Sequence, residues 1–282
     1  MSVVITLTTD FGLSDAYVAV MKGVILSINP EATLVDICHT IKPQNISQAA
    51  FVLSTAYPYF PQGTIHVVVV DPGVGTERRA VALQSPSAYF VAPDNGVLSY
   101  VLEQPSARPK PKATRRPRLT DLPKQKKLGP GMQAVVLTRP QFWRSPVSTT
   151  FHGRDIFAPV GAWLSRGVPL RELGEPVPSL AVLPLTCPHR EPDGSLAGHV
   201  LHIDSFGNLI TSIKGDDLPE TRNGISIEVR KRVINGLSRT YGEAEALLAL
   251  IGSSGHLEVS LKGGSAAGFL GAEVGDEVRI RQ

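Results

Sequence analysis

The chain has 282 residues, 42% of them apolar and 19% charged, and at roughly 150 residues per domain that suffices for two domains with cores of their own. No apolar run approaches the roughly 18 residues that span a bilayer, and the N-terminus enters a strand-like alternation without a secretory pattern, so a cytoplasmic protein with no membrane partner is expected. The net charge of +3 favours an acidic partner such as nucleic acid, but its distribution argues against one. Between Arg108 and Lys127, nine basic residues and Asp121 sum to +8, which leaves −5 for the rest of the chain. That Pro-rich stretch, part of an insertion over 106–130, reads as an exposed loop. The two cysteines, Cys38 and Cys187, lie far apart and fit a reducing compartment, with no metal-site spacing.

In chain order, residues 3–8 read as a strand ending in the turn Asp10-Phe11-Gly12. Ser14 is placed to cap a helix whose apolar positions Val18, Met21, Ile25 and Ile28 recur every three to four residues until Asn29-Pro30 stops it. A strand over 33–37 and a helix over 45–57 follow. The run 64–70, rich in β-branched residues without alternation, predicts a central parallel strand buried on both faces. Strands over 80–84 and 88–91 and a short helix over 96–102 complete a layered α/β pattern, which resumes after the insertion at 134–138 and 150–159. From about Cys187 the texture changes to short strands at 199–203, 209–213, 225–229, 256–261 and 277–280 between Gly-rich turns, with 241–251 partly helical. The expected architecture is an N-terminal layered α/β domain with a largely parallel sheet over 1–180, and a smaller C-terminal all-β barrel over 190–282.

Ligands of parallel α/β sheets bind beyond the carboxyl ends of the strands. Three such ends carry a carboxylate beside glycine: Asp10-Phe11-Gly12, the loop from Asp71 to Thr76, and Asp94-Asn95-Gly96. Asp-Gly and Asn-Gly also form plain turns, but three at one sheet edge suit a cationic ligand. The loop after Asp71 lacks the Lys-Ser/Thr ending of a phosphate cradle, and an acid at its mouth repels phosphate. Arg78 or Arg79 can reach back to hold Asp71 ionised. Phe151-His152-Gly153-Arg154-Asp155 is a second polar patch, whose His taken alone is more often a packed, hydrogen-bonded residue than a catalytic one. No HExxH or related spacing points to a metal, and no GxSxG to a Ser hydrolase. The turns at 204–208 and 252–255 read equally as ordinary hairpin turns or as a source of Phe206, amides and hydroxyls suited to a flat heterocycle.

Taken in order, TTDFGLSDAY at 8–17, DICHTIKP at 36–43, VDPGVGTERR at 70–79, APDNGVL at 92–98, TFHGRDIFAP at 150–159, DSFGNLITSI at 204–213 and GSSGHLEVSLKGGSAA at 252–267 resemble the S-adenosylmethionine hydroxide adenosyltransferases, relatives of the fluorinating and chlorinating enzymes. The resemblance implies a homotrimer that binds S-adenosyl-L-methionine between the first domain of one subunit and the second domain of its neighbour. It implies attack of water or hydroxide on ribose C5′ with release of adenosine and L-methionine, without cofactor or metal. By the same resemblance Asp71, Arg78 and His152 hold the attacking water, and the halogenating relatives carry Tyr where Asp71 stands. Asp10 matches the ribose carboxylate and Asp15 the one near the methionine amino group; Phe11, Asn95 and Phe151 belong to the same binding segments. Asp204 and Asn208 match groups at the methionine end and adenine edge, Phe206 the stacking ring, and Ser253 the contact to the methionine carboxylate. Lys262 departs from the pattern, which has Asn there. Two other readings are a halide-using adenosyltransferase and a non-catalytic nucleoside-binding module.

Overall fold

A computed structural model describes residues 2–103, 123–219, 224–243 and 246–282. These divide into two compact units, one ending at Pro184 and the other beginning at Leu185. The first opens with β1 (Val4–Thr9), α1 (Tyr17–Ile28), β2 (Thr33–Cys38), α2 (Ile46–Ala56) and β3 (Thr64–Val69). It continues through β4 (Ala80–Gln84), β5 (Ala88–Pro93), α3 (Ser99–Leu102), β6 (Lys124–Lys127), β7 (Gln133–Leu137), a π-helical turn (Gly153–Phe157), α4 (Ala158–Ser165), β8 (Gly174–Val177) and β9 (Ser179–Val182).

The main sheet runs β2-β1-β3-β5-β4-β7-β8. Its first four strands are parallel, and the pairings from β5 through β8 are antiparallel. All six residues of β3 are buried, as the unbroken apolar run predicts. Ile65, Val67 and Val69 pack with Met21, Ile25 and Val160, while Val68 and Val70 pack with Leu53, Phe90 and Val101. Alternate side chains of one strand thus serve the two helix layers, α1 and α4 on one face, α2 and α3 on the other. The carboxyl ends of β1, β3 and β5 lie on one edge, which brings the three Asp-bearing turns to the same side of the sheet.

Three expectations are corrected. Ser14 does not cap α1; Ala16 occupies that position without a side-chain hydrogen bond, whereas Asn45 caps α2, its side-chain Oδ1 accepting from Gln48 N at 2.9 Å. Part of the basic insertion is a strand rather than loop: β6 pairs antiparallel with β9, and Arg79, Gln125 and Ser179 are joined by hydrogen bonds. The insertion's residues 106–122 lie outside the described ones. Finally, 247–251 is a strand rather than part of a helix.

The second unit comprises β10 (His189–Arg190), β11 (Leu196–Ile203), β12 (Leu209–Lys214), β13 (Ser226–Val229), β14 (Arg232–Asn235), β15 (Leu247–Ile251), β16 (His256–Leu261), α5 (Ala266–Leu270) and β17 (Glu277–Arg281). The order β14-β13-β17-β11-β12-β16-β15 is antiparallel throughout, and β14 also approaches β15, so the sheet curls into a nearly closed barrel. Leu248, Ala249 and Leu250 are good helix formers, but pairing along β16 and burial override that propensity.

One buried polar group on β3 has a measurable consequence. His66 is fully buried, its Nδ1 2.7 Å from Thr6 Oγ1 and its ring stacked on Phe90 at 5.1 Å between Tyr57 and Phe60. Burial pushes its pKa down to about 4. The unfolded chain therefore takes up a proton below the ordinary pKa of about 6.5 that the folded chain refuses until about pH 4. The neutral ring's contribution is full above pH 6.5 and is lost across that window, a fall of roughly 3 kcal/mol. Urea unfolding at pH 7 and pH 4.5 should show it, and His66→Gln should lose less stability than the parent over the same interval.

Candidate active site

The loop after β3 places a carboxylate and a guanidinium in contact. Val74 N donates to Asp71 O at 3.2 Å and Thr76 N to Gly73 O at 3.1 Å, which folds 71–76 back on itself and returns Arg78 to Asp71. Gly75 has φ +77°, and a Cβ there would lie 2.6 Å from Thr149 O. Glycine is thus required both for the turn and for the approach of the segment that carries His152. Arg78 Nε lies 2.9 Å from each Asp71 oxygen, and its Nη2 donates to Asp71 Oδ2 as well. The side chains are 5% and 11% exposed, so this fork is largely withdrawn from solvent screening.

Arg78 Nη2 also lies 2.7 Å from His152 Nδ1. A guanidinium only donates, so Nδ1 accepts and the neutral imidazole carries its proton on Nε2. Burial first, then the Arg78 charge, holds the His152 pKa below its ordinary value, against the opposing pull of Asp71 and Asp155. The Phe157 ring lies 5.2 Å from the Arg78 guanidinium carbon. The structure thus brings Asp71, Arg78 and His152 into one array with Arg78 as the shared donor.

The segment bearing His152 is held from beneath by Asp155, which the sequence reading did not single out. Asp155 is fully buried; it accepts from Arg154 Nε at 2.6 Å, Arg154 Nη2 at 2.8 Å and Ser148 N at 2.8 Å, with Arg144 Nη1 at 3.6 Å. Burial pulls its pKa up, but the bonds from Arg154 and Ser148 and the two Arg charges outweigh that and lower it. Its backbone oxygen accepts from Arg144 N at 2.8 Å, so the loop from 144 to 155 is closed at both the backbone and the side chain. The adjacent Arg-Asp pair in the motif was the available signal.

Phe11 and Phe151 meet at 5.7 Å, and Tyr17 joins both at 5.5 and 5.1 Å, forming an aromatic group on the same unit. Asp10 Oδ2 accepts from Gln44 N at 2.7 Å, and Gly12 N donates to His39 O at 2.8 Å, which fixes the exit of β1. Asp15 is exposed and makes no bond among the described residues. Asn95 donates to Val70 O at 2.9 Å and accepts from Val97 N at 3.1 Å, bracing the exits of β3 and β5. None of Asp10, Asp15 and Asn95 bonds to the array directly. Arg79, the other candidate partner of Asp71, pairs instead with Asp94, whose second oxygen accepts from Ala181 N at 2.7 Å.

In the second unit Asp204 organises its turn by accepting from Phe206 N, Asn208 N and Asn208 Nδ2, each at 2.9 Å. Phe206 stands 76% exposed, an open aromatic face. Ser253 is exposed on the turn between β15 and β16. Close to it lies a group the sequence reading missed: Glu258, buried, accepts at Oε1 from Tyr241 Oη at 2.8 Å and from Ser260 Oγ at 2.9 Å. Burial, then Glu258 and Asp204, push the Tyr241 pKa up to about 12. Among the described residues, no cluster of three His, Cys, Asp or Glu side chains is arranged to hold a metal ion, and no helix is long and apolar enough to cross a membrane.

Residues 5–174 match the model of the SAM hydroxide adenosyltransferase N-terminal domain, and residues 198–279 match that of the C-terminal domain. An (R)-S-adenosyl-L-methionine hydrolase of Salinispora tropica is 38% identical over 98% of this chain and 97% of its own. A fluorinase of Nocardia brasiliensis is 26% identical over 99% of this chain and 96% of its own. The crystal structure of an uncharacterized conserved protein from Thermotoga maritima superposes with a TM-score of 0.84 at 34% identity, covering 99% of this chain and all of that one. With both family domains matched in order along its length, the chain belongs to the SAM hydroxide adenosyltransferase family.

Proposed function

We propose that the protein hydrolyses S-adenosyl-L-methionine to adenosine and L-methionine, with preference for the R sulfonium epimer named for its Salinispora relative. The observation that carries this reading is the array of Asp71, Arg78 and His152 at the mouth of β3. Sulfonium leaves as a neutral thioether, so no acid is needed at the leaving group and no metal to polarise it. The protein's work is to align a water behind C5′ and to accept its proton. As the O–C5′ bond forms and the C5′–S bond breaks, the water proton passes to Asp71. His152 cannot take it at Nε2, which already bears hydrogen, and donates to the water oxygen instead. Arg78 fixes both partners.

A carboxylate at this point disfavours a halide nucleophile, since two anions would share a largely desolvated site. This separates the hydrolase reading from the halide-using one. The acceptor ends of β1 and β3 suit a cationic ligand, and the exposed Phe206 ring suits a purine. A homotrimer, with the substrate held between the first unit of one subunit and the second unit of its neighbour, completes the reading; equilibrium sedimentation tests it.

Incubation with the separated R and S epimers in ¹⁸O-labelled water tests the reaction. The expected result is adenosine labelled at O5′, formed faster from the R epimer. Unlabelled adenosine, or none from folded protein, overturns the reading; 5′-chloro-5′-deoxyadenosine in chloride supports the halide-using alternative.

A further inference from the structure

The turn after β5 carries Asp94-Asn95, and these two adjacent residues hold the chain on both sides of the Asp71–Arg78 fork. Asn95 Nδ2 donates to Val70 O at 2.9 Å, one residue before Asp71. Asp94 N donates to Arg79 O at 2.9 Å, and Asp94 Oδ2 accepts from Arg79 Nε at 2.9 Å and from Arg79 Nη2, one residue after Arg78. The loop from 71 to 78 thus leaves the sheet and returns to it between two points fixed by one dipeptide.

That dipeptide is itself tied down. The Asp94 side chain is 4% exposed, and its Oδ1 accepts from Ala181 N at 2.7 Å. Asn95 Oδ1 accepts from Val97 N at 3.1 Å. Gly96 has φ +99°, and a Cβ there would lie 2.7 Å from Leu183 Cγ, so the turn needs glycine both for its backbone and for its close approach to the residue after β9. Arg79 Nη2 also reaches Gln125 Oε1 at 3.2 Å and Ser179 O at 3.3 Å. Two neighbouring arginines therefore part company, Arg78 going to Asp71 and Arg79 to Asp94. A shift at either anchor changes the span between Asp71 and Arg78, and a misplacement of about 1 Å can cost about 10²-fold in rate.

We propose that Asp94 and Asn95 are positioning residues for the reaction: by gripping Arg79 and Val70 they set the separation at which Arg78 meets Asp71 and His152. The inference rests on the reading of the array above and deepens it, since the third acidic strand end then serves the alignment of the nucleophile and not a cationic ligand.

Two variants test it. Asp94→Asn keeps an acceptor for Ala181 N but turns an amide toward Arg79. Asn95→Ser keeps a hydroxyl for Val97 N but is too short to reach Val70 O. Each should lower kcat about 10-fold and move KM less than about twofold. On an Asp71→Asn background, where the fork to a carboxylate is already lost, either should lower kcat further by less than about twofold, whereas a general loss of folded structure would multiply. A second readout needs no turnover: titration of the His152 imidazole followed by NMR. Burial and Arg78 lower the His152 pKa, and Asp71 and Asp155 raise it, so a loosened Arg78 raises it in both variants. For Asp94→Asn the sign is diagnostic, because removing a negative charge and unmasking Arg79 would by themselves lower it. Unchanged kcat, a multiplying loss on the Asp71→Asn background, or a His152 pKa that stays or falls in the folded variants overturns the proposal. A raised His152 pKa in a protein that forms no adenosine from S-adenosyl-L-methionine retains the positioning role and sinks the hydrolase.

Discussion

Arg78→Lys is expected to lower kcat about 10²- to 10³-fold while KM moves less than about threefold. Arg78 spends Nε and Nη2 on Asp71 and shares Nη2 with His152. A lysine ammonium keeps the charge, but it is a point donor that cannot fork to a carboxylate and an imidazole at fixed angles. On the proposed mechanism the water's two partners would then drift independently, and the loss falls on the transition state rather than on substrate binding. Asp71→Asn removes the proposed proton acceptor of the same unit, so the double variant should be little slower than the slower single one. Steady-state kinetics of the three variants decide the matter. A rise in KM with kcat intact would show that the array binds substrate and does not organise the nucleophile.

Asp155→Ala is expected to cost about 2–4 kcal/mol of stability, read from urea unfolding, because it strips the side-chain partner of Ser148 N and the acceptor of two Arg guanidinium groups around a fully buried position. Turnover should fall with it, since the 144–155 loop carries both Thr149, which seats on Gly75, and His152. The conservative Asp155→Asn separates support from electrostatics. The charged groups acting on His152 are Arg78, which lowers its pKa, and Asp71 and Asp155, which raise it. Removing the Asp155 charge lowers the His152 pKa further. The neutral ring that accepts from Arg78 then persists to lower pH, and the acid limb of the kcat/KM profile shifts down. An unshifted limb in a folded Asp155→Asn protein would leave Asp155 a purely mechanical prop.

How far these features could be read in advance depended on whether they are one-dimensional. β3 was legible because burial on both faces leaves an unbroken apolar run, and the three Asp-bearing turns were legible because each follows such a strand. The partnership of Arg78 with His152, 74 positions apart, is written in no local pattern; topology creates it, and only the order of the motifs pointed to it. Asp155 was visible as a member of the polar patch but not as its support, because a buried acid looks like a surface one until its partners converge. Glu258 went unread because it sits in a strand opposite Ile210, and Tyr241 reaches it from a distant turn. β15 and β6 failed on propensity. Leu-Leu-Ala-Leu suits a helix and Lys-Gln-Lys-Lys a loop, and in both cases a neighbouring strand decided the outcome.

The pairing of β6 with β9 bears on how this chain can change over generations. Lys126 Nζ lies 3.7 Å from a Glu103 carboxylate oxygen, so the strand that receives the chain at one end of residues 104–122 is tied to the helix end that releases it at the other. Where two flanks are already held together, lengthening the intervening chain is cheap: doubling it costs only about 0.6 kcal/mol in closure entropy. Six of the basic residues lie in that interval. Insertion, deletion and recolouring of charge there can shift the isoelectric point of the whole protein without a compensating change at the end of β3. Homologues with opposite net charge are therefore expected to share one reaction centre.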